Sequence, residues 1–439
     1  MSDCAISKST TAEGAPAFML SAEQALRRSV MSCLLGESGY YEAGETITNR
    51  IASLIPKVAP ETVSEIAIQA RLDMNLRHIP LFIANEMARH KQSRYLVCET
   101  LLKIIKRPDD ITKFMTLYWK DGKKPLCKQV KKALAKVFNK FDQYSLSKYA
   151  NKKSSVKLRD CLFMAHPRPT SPKTAEIWKA LIDDRLSSPD TWESALSSGQ
   201  NRTETWTRLL NEKKLGTLAL IRNLRNMEDC KVDRELVISA LNSADVSDIL
   251  PFRFLLASEY CSSFSKELEQ MLFKSLKNYD QLKGHTVLLI DISGSMFSSL
   301  SQKSYMTRFG AGASLAILLT ELCENITIYS FSETVAKIEP EKGFALFRKI
   351  RSSLPAGETF MGKAIEHVNS NEVYDRIIVI SDEQSADTIP SPKSTGYMIN
   401  VAPMKNGLGY GNWIHIDGFS VSICDFLIES EAFYEKHFR

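Results

Sequence analysis

The sequence lacks closely spaced cysteines, a long apolar run and a basic leader, and each absence narrows the field. Its nine cysteines (4, 33, 98, 127, 161, 230, 261, 323 and 424) are spread over 439 residues and never closer than 29 positions apart. That dispersal excludes a disulfide scaffold and a zinc-ligand spacing, and points to a reducing, cytoplasmic home. No apolar stretch approaches the ~20 residues a bilayer-crossing helix requires. The first twenty residues lack a basic start followed by an apolar block, so no secretory signal and no membrane partner is expected. No Cys-His or Ser-His-Asp set stands out either, and the chain is expected not to be an enzyme.

What is present falls into two rhythms. Residues 1–20 are rich in Ser, Thr, Ala and Gly without periodicity, and are expected to form a disordered tail. From Ser21 to about residue 283 apolar residues recur at intervals of three and four, with Pro56, Pro80 and Pro108 at the joints. Segments such as Glu61–Met74, Pro80–Arg89, Cys127–Phe141, Thr203–Leu210, Thr217–Met227 and Lys266–Tyr279 read as helices. Roughly fifteen short helices exceed one bundle core and fit stacked helix pairs, although no clean sequence repeat is visible. From residue 284 to 439 strands and helices alternate: Thr286–Asp291, Ile326–Phe331, Val335–Ile338, Arg376–Ser381, Gly396–Val401 and Trp413–Ile416 read as strands. Their continuous apolar runs predict a doubly wound, Rossmann-like α/β sheet.

Charge is unevenly distributed. The whole chain carries 57 Lys and Arg against 51 Asp and Glu, whereas Ala88–Arg159 alone holds 20 basic and 5 acidic residues. Solvated helix faces are one reading; a phosphate-binding surface is the sharper one. Within Cys127–Phe141, Lys128, Lys131, Lys132 and Lys136 recur at three and four, opposite Val130, Leu134 and Val137. No aromatic base-reading motif is present, so recognition should rest on backbone, RNA shape and ends.

After the apolar strand Thr286–Asp291 comes a D-x-S-x-S turn with Asp291, Ser293 and Ser295. Thr359, in the loop before a helix, and Asp382, after the run RIIVIS, supply two more oxygens at carboxyl ends of the sheet. Two carboxylates and three hydroxyls suit one hard divalent cation, Mg²⁺ or else Mn²⁺, with waters or a partner's carboxylate completing an octahedron. A phosphatase-type nucleophile would usually be followed by a second Asp two residues on, where this chain has Ser293.

These five residues in order resemble the metal-ion-dependent adhesion site of von Willebrand factor A domains. Other segments carry a resemblance to the Ro autoantigen family, a TROVE domain followed by a von Willebrand A domain, of bacterial type. Leu76–Leu81 is similar to the family's "LRHxPL", Leu158–Pro167 to "LLRLxHxKP", Leu218–Leu224 to "LTALLRNL" and Leu354–Thr359 to "IPAGGT". The resemblance implies a closed ring of HEAT-like antiparallel helical repeats and a monomer. It implies small noncoding Y-like RNA on a basic outer surface and single-stranded 3′ ends of misfolded RNA in the central hole. It further implies a scaffold for a 3′→5′ exoribonuclease such as polynucleotide phosphorylase. By the same resemblance Lys148, Lys152 and His166 fall on RNA-contacting positions, and the lysine stripe lies on the same surface. Compact A-domain loops set this chain apart from its relatives. The rival reading is a metal-dependent protein-interaction adaptor without RNA function, in which the basic helices are incidental.

Overall fold

The computed structural model describes residues 10–18, 20–31, 44–150, 155–187, 189–197, 201–276, 280–300 and 306–438. It divides into two compact units. One comprises Met1–Thr48, Gly216–Asp229 and Val237–Arg439; the other comprises Asn49–Leu215 and Cys230–Leu236. The rhythm change near residue 284 does separate helices from strands. The compact units are cut elsewhere, because the helices Ala22–Met31 and Phe252–Tyr260 are grouped with the sheet.

In the second unit the helices alternate between two layers. Pro60–Leu72, Val97–Ile104 and Lys128–Val137 pack in succession in one layer; His78–Arg89, Pro108–Tyr118 and Leu158–Ala165 do so in the other. Each helix contributes one apolar stripe to the space between layers, as stacked helix pairs must. In Lys128–Val137 the stripe is Val130, Ala133, Leu134 and Val137, all fully buried. Each of the three larger side chains contributes about 1.5–3 kcal/mol of burial.

One charged cluster lies inside this stack. Arg77 donates from Nη2 to Asp109 and Asp110, at 3.0 Å each, and Arg71 stands 3.5 Å from Asp110. Arg107 and Lys113 approach Asp109 at 3.1 and 3.2 Å. Asp110 also accepts the backbone N–H groups of Lys106 and Arg107, capping the start of Pro108–Tyr118. The "LRH" segment thus positions an arginine that ties one helix start to the next.

The first unit is built on a six-stranded sheet, β1 (Leu282–Asp291), β2 (Cys323–Phe331), β3 (Val335–Ile338), β4 (Arg376–Ser381), β5 (Thr395–Asn400) and β6 (Ile414–Asp417). The order is β3-β2-β1-β4-β5-β6, parallel throughout except for the antiparallel edge strand β3. All six expected strands form. Val287–Ile290 are fully buried, as a central strand covered on both faces requires. Helix Arg308–Leu322 is apolar on every side and buried almost throughout. It lies so close to the sheet that a Cβ on Gly312 would meet Ile380 at 2.9 Å.

Two expectations need correction. The stretch Thr217–Met227 is two helices, Thr217–Arg222 and Leu224–Asp229, because Asn223 turns its side-chain amide back onto Ala219 O at 2.8 Å and interrupts the ladder. The expected disordered tail over 1–20 does not hold for residues 10–18. Thr11, Ala15 and Ala17 are buried, and Thr11, Ala12 and Phe18 hydrogen-bond to residues 384–407. Residues 1–9 lie outside the described residues.

Asp110→Ala leaves the half-desolvated Arg71 and Arg77 without their shared counter-charge. We expect the helical unit to lose about 3 kcal/mol, read as an earlier transition in chemical denaturation followed by circular dichroism.

Candidate metal centre and nucleic-acid interface

The sheet's connections reverse direction at β1 and β4, and in open parallel sheets the crevice beyond such neighbouring strand ends is where ligands bind. Ile290 pairs with Ile380, so Asp291 at the end of β1 and Asp382 just past β4 emerge side by side. Asp291, Ser293, Thr359 and Asp382 are fully buried and Ser295 nearly so. Asp291 Oδ1 accepts the Ser293 N–H at 2.8 Å, and its Oδ2 accepts the Ser381 hydroxyl at 2.6 Å. The Ser293 and Ser295 hydroxyls are 3.3 Å apart.

Backbone ties bring the three loops together. Gly294 N–H donates to Gly357 O at 3.0 Å, joining the first loop to the second. Ala386 N–H and the Ser385 hydroxyl donate to Thr359 O at 2.8 and 3.1 Å, joining the second to the third. All five residues singled out in the sequence therefore converge. Ser381, which holds Asp291 from behind, lies in the apolar run RIIVIS and carried no sequence signal of its own.

The electrostatics are unfavourable as they stand. Burial, and then the charge of Asp382, push Asp291 up to about 7. Burial likewise raises Asp382, against a hydrogen bond from Ser295 and the charge of Arg308. Asp382 Oδ2 is buried and has no hydrogen-bond partner. Two carboxylates facing each other out of water, one with an orphaned oxygen, are what a bound cation relieves. The donors are hard oxygens, which fits Mg²⁺ or Mn²⁺. Among the described residues no group of three or more His, Cys, Asp or Glu side chains could hold a metal, so any cation here depends on the hydroxyls.

Behind the third loop lies a buried ionic network that sequence reading missed. Arg28, fully buried on helix Ala22–Met31, donates to Glu383 Oε2 at 2.9 Å and to Met404 O at 2.8 Å. The His415 ring nitrogens stand 2.8 Å from Glu383 and 2.9 Å from Asp417, with Tyr410 stacked on the ring at 4.3 Å. Burial works against ionising Glu383, yet Arg28 and His415 outweigh it and hold the carboxyl down to about 2. Burial also works against a charged His415, and Asp417 with Glu383 reverse that, raising it to about 9. Arg28 and Glu383 hold the loop bearing Asp382.

In the helical unit Lys128, Lys131, Lys132 and Lys136 are all exposed, along one side of Lys128–Val137. None has an ion-pair partner among the described residues. Elsewhere in the basic segment, Arg89 pairs with Asp121 and Glu86, Lys103 with Glu99, and Arg159 with Asp184. The helix has no acid in its first turn, and it begins with a lysine. Positive charge at a helix amino end opposes the backbone dipole, and like charges at i,i+4 cost a further 0.2–0.5 kcal/mol or so per pair.

Helix Leu158–Ala165 packs against the lysine helix and ends on His166, exposed and left-handed at φ 48°. Asn139, just beyond the lysine helix, bonds Arg168 O and Thr170 N–H, both at 3.2 Å, so the His166 loop lies against that helix's carboxyl end. Lys148 is half-buried on Gln143–Ala150, and Lys152 lies outside the described residues. Missed in the sequence were Lys123 and Lys124, whose ammonium groups stand 5.9 and 4.9 Å from the ring centres of Trp119 and Tyr118. The interleaving of aromatic and basic residues in Tyr118–Lys124 was the available signal.

A stack of paired helices and a Rossmann-like sheet with an oxygen-lined site at its switch point define the class of protein. A family model described as the TROVE domain matches residues 184–307. The chain is similar in structure to the Ro (Rsr) protein of Deinococcus radiodurans, with a TM-score of 0.60 at 15% sequence identity, over 94% of this chain and 99% of that one. The family match is confined to residues 184–307, and the likeness to the Ro protein is one of fold.

His415 titrates higher in the folded chain than the ordinary 6.5. Its contribution to stability is therefore full below about pH 6.5 and drains away as pH rises through about 9. Thermal melts in a chelator across that window should show a falling midpoint, and His415→Gln should flatten the dependence. An identical slope in both would contradict it.

Proposed function

We propose that the chain is a non-enzymatic RNA-binding protein of the Ro type, and that the lysine helix is its phosphate-contacting face. The observation that carries this reading is an exposed row of four lysines without acidic partners among the described residues, on a helix whose own dipole and spacing disfavour them. A surface that spends stability on unpaired positive charge is suited to an anionic polymer. The amino end of Lys128–Val137 adds backbone N–H groups and dipole of the same sign. His166 supplies a ring beside the far end of that helix, and the half-buried Trp119 supplies stacking surface near Lys123.

The substrate class we infer is small structured noncoding RNA of the Y type, held by backbone and shape. Single-stranded 3′ ends of misfolded RNA are the second class, and a 3′→5′ exoribonuclease such as polynucleotide phosphorylase is the partner to which they would be handed. Both follow from the family resemblance. The chain acts as a monomeric, cytoplasmic scaffold in this reading; among the described residues no helix is long and apolar enough to cross a membrane.

The sheet unit contributes a divalent-cation site, with Asp291, Ser293, Ser295, Thr359 and Asp382 as its ligands. Bound there, the cation supplies positive charge that can capture a carboxylate; the chain's own part is to hold five oxygens around one point. This site supports the adaptor reading as a second activity of the same chain.

Lys128→Glu combined with Lys132→Glu should weaken binding of a structured RNA at least tenfold and make its dependence on salt shallower. The melting temperature should hold or rise slightly, since glutamate at a helix start favours the dipole. Filter binding over a salt series and differential scanning calorimetry read the two; unchanged affinity at every salt concentration would overturn the assignment. Asp291→Ala should abolish the thermal stabilisation that Mg²⁺ or Mn²⁺ gives the parent protein.

A further inference from the structure

Residues 10–18 form a turn that bridges the second and third crevice loops. Within it Thr11 N–H donates to Ala15 O at 2.9 Å, Gly14 N–H to Thr11 O at 3.2 Å, and Ala15 N–H to the Thr11 hydroxyl at 3.0 Å. Gly14, at φ +99°, takes the left-handed position that closes the turn. Towards the third loop the Thr11 hydroxyl donates to Ser385 O at 2.6 Å and Ala12 N–H to Gln384 Oε1 at 2.9 Å. Phe18 N–H donates to Gly407 O at 3.2 Å, and the Asn406 amide to Thr10 O. Towards the second loop the Glu13 carboxylate accepts the Thr359 N–H at 3.0 Å.

The turn and the helix that follows it are held very differently. Arg28, on helix Ala22–Met31, is fully buried, and its guanidinium bonds Glu383 Oε2 and Met404 O. Pulling it out would strand a buried carboxylate, so this end is an anchor. The turn has no such anchor. Ala12, Gly14, Pro16 and Phe18 are exposed, and the apolar side chains it buries are the methyl groups of Ala15 and Ala17. So small an apolar area does little to offset the entropy of ordering the segment, and water can replace its hydrogen bonds. Burial chiefly raises the Asp382 carboxyl, and the negative charge of Glu13 adds to that, so the tip of the turn is also repelled by the crevice. An anchored arm thus ends in a weakly held tip.

We propose that residues 10–18 are an autoinhibitory strap. Glu13 occupies the Thr359 N–H as a stand-in for a carboxylate on an acidic segment of a partner protein, which reaches the crevice once the strap swings away. The role of Glu13 is that of acceptor for this backbone donor. Because Arg28 keeps the arm tethered, the strap closes by an intramolecular step, at an effective concentration of about millimolar order. A partner must therefore bring more than a single carboxylate; a segment with small residues around its acid, as in Thr11–Ala15, fits the same ties. The strap gives the adaptor reading above its regulation and rests on that reading for its purpose, yet the two can fail separately.

The test uses the full chain and, as the probe, a fluorescent peptide copying residues 8–20, with binding read by anisotropy in Mg²⁺ and again in a chelator. Thr11→Val combined with Glu13→Ala removes the ties to Ser385 and Thr359. We expect this variant to bind the peptide about tenfold more tightly than the parent, whose own strap competes. A peptide carrying Glu13→Gln should bind the variant more weakly than the unaltered one. Hydrogen exchange over residues 354–361 should quicken about threefold in the variant, while helix Ala22–Met31 and the thermal midpoint stay as in the parent. Tightening that survives the chelator supports the strap alone; tightening confined to Mg²⁺ supports the strap and the adaptor reading together. If parent and variant bind the peptide equally, or exchange over 354–361 is unchanged, the segment is a packed terminus and the strap falls. Faster exchange across Ala22–Met31 as well would also overturn it, since anchor and tip would then be one unit. The Mg²⁺-dependent melting of Asp291→Ala reports on the cation site by itself.

Discussion

The sheet unit depends on one awkward juxtaposition, two carboxylates buried at the ends of adjacent parallel strands. The register of β1 on β4 forces it, since pairing Ile290 with Ile380 puts Asp291 beside Ser381 and Asp382 one step further. A slip of one residue would turn the acids away and bring apolar side chains to the crevice. The fold spends donors on the problem: Ser381 and Ser293 N–H on Asp291, Ser295 and Gln384 N–H on Asp382. These offset part of the desolvation and leave one oxygen unmatched. A cation is the species that would turn the mutual repulsion of such a pair into shared attraction.

The same criterion, whether a charge is matched nearby, sorts the basic segment. Asp109 and Asp110 absorb Arg107 and Lys113, with Arg71 and Arg77 from just upstream of the segment, into a partly buried cluster that fixes helix starts. Those residues belong to the architecture despite their sign. Lys128, Lys131, Lys132 and Lys136 have no ion-pair partner among the described residues and stand in water, where an ammonium group is stable alone. Net charge over a window therefore overstates the binding surface, and pairing reveals which part of it is free to bind.

How far each feature could be read ahead follows from how local its cause is. Strands β3 and β4 were placed to the residue, because their hydrophobic runs and bounding turns lie within a few positions. The convergence of the five oxygen-bearing residues was legible because three of them share one turn and the others close short loops after predicted elements. Glu13 was invisible for the opposite reason. It meets Thr359 across 346 positions, from a segment whose small polar residues match the composition of disorder. The fastening of that segment comes from residues 384–407, whose placement is set only by the finished sheet. His415 and Arg28 were missed likewise, since a lone histidine in a strand and an arginine on an amphipathic helix announce nothing until burial pairs them. The family match covers 184–307, which excludes the lysine helix. The case for that helix accordingly rests on exposure and charge.

The two charged sites answer to different physics, and this separates their roles without any appeal to resemblance. Lysines in water act through a field that falls off within a Debye length of about 8 Å at physiological salt. Their hold on phosphate is a counterion exchange that added salt reverses. The carboxylates of Asp291 and Asp382 are sealed from solvent, so a cation between them is held by short contacts that bulk ions barely screen. Raising salt thus strips the first kind of ligand and spares the second, while a chelator does the reverse. In the proposed reading, a chain with one site of each kind exchanges nucleic acid on electrostatic cues while the cation stays bound.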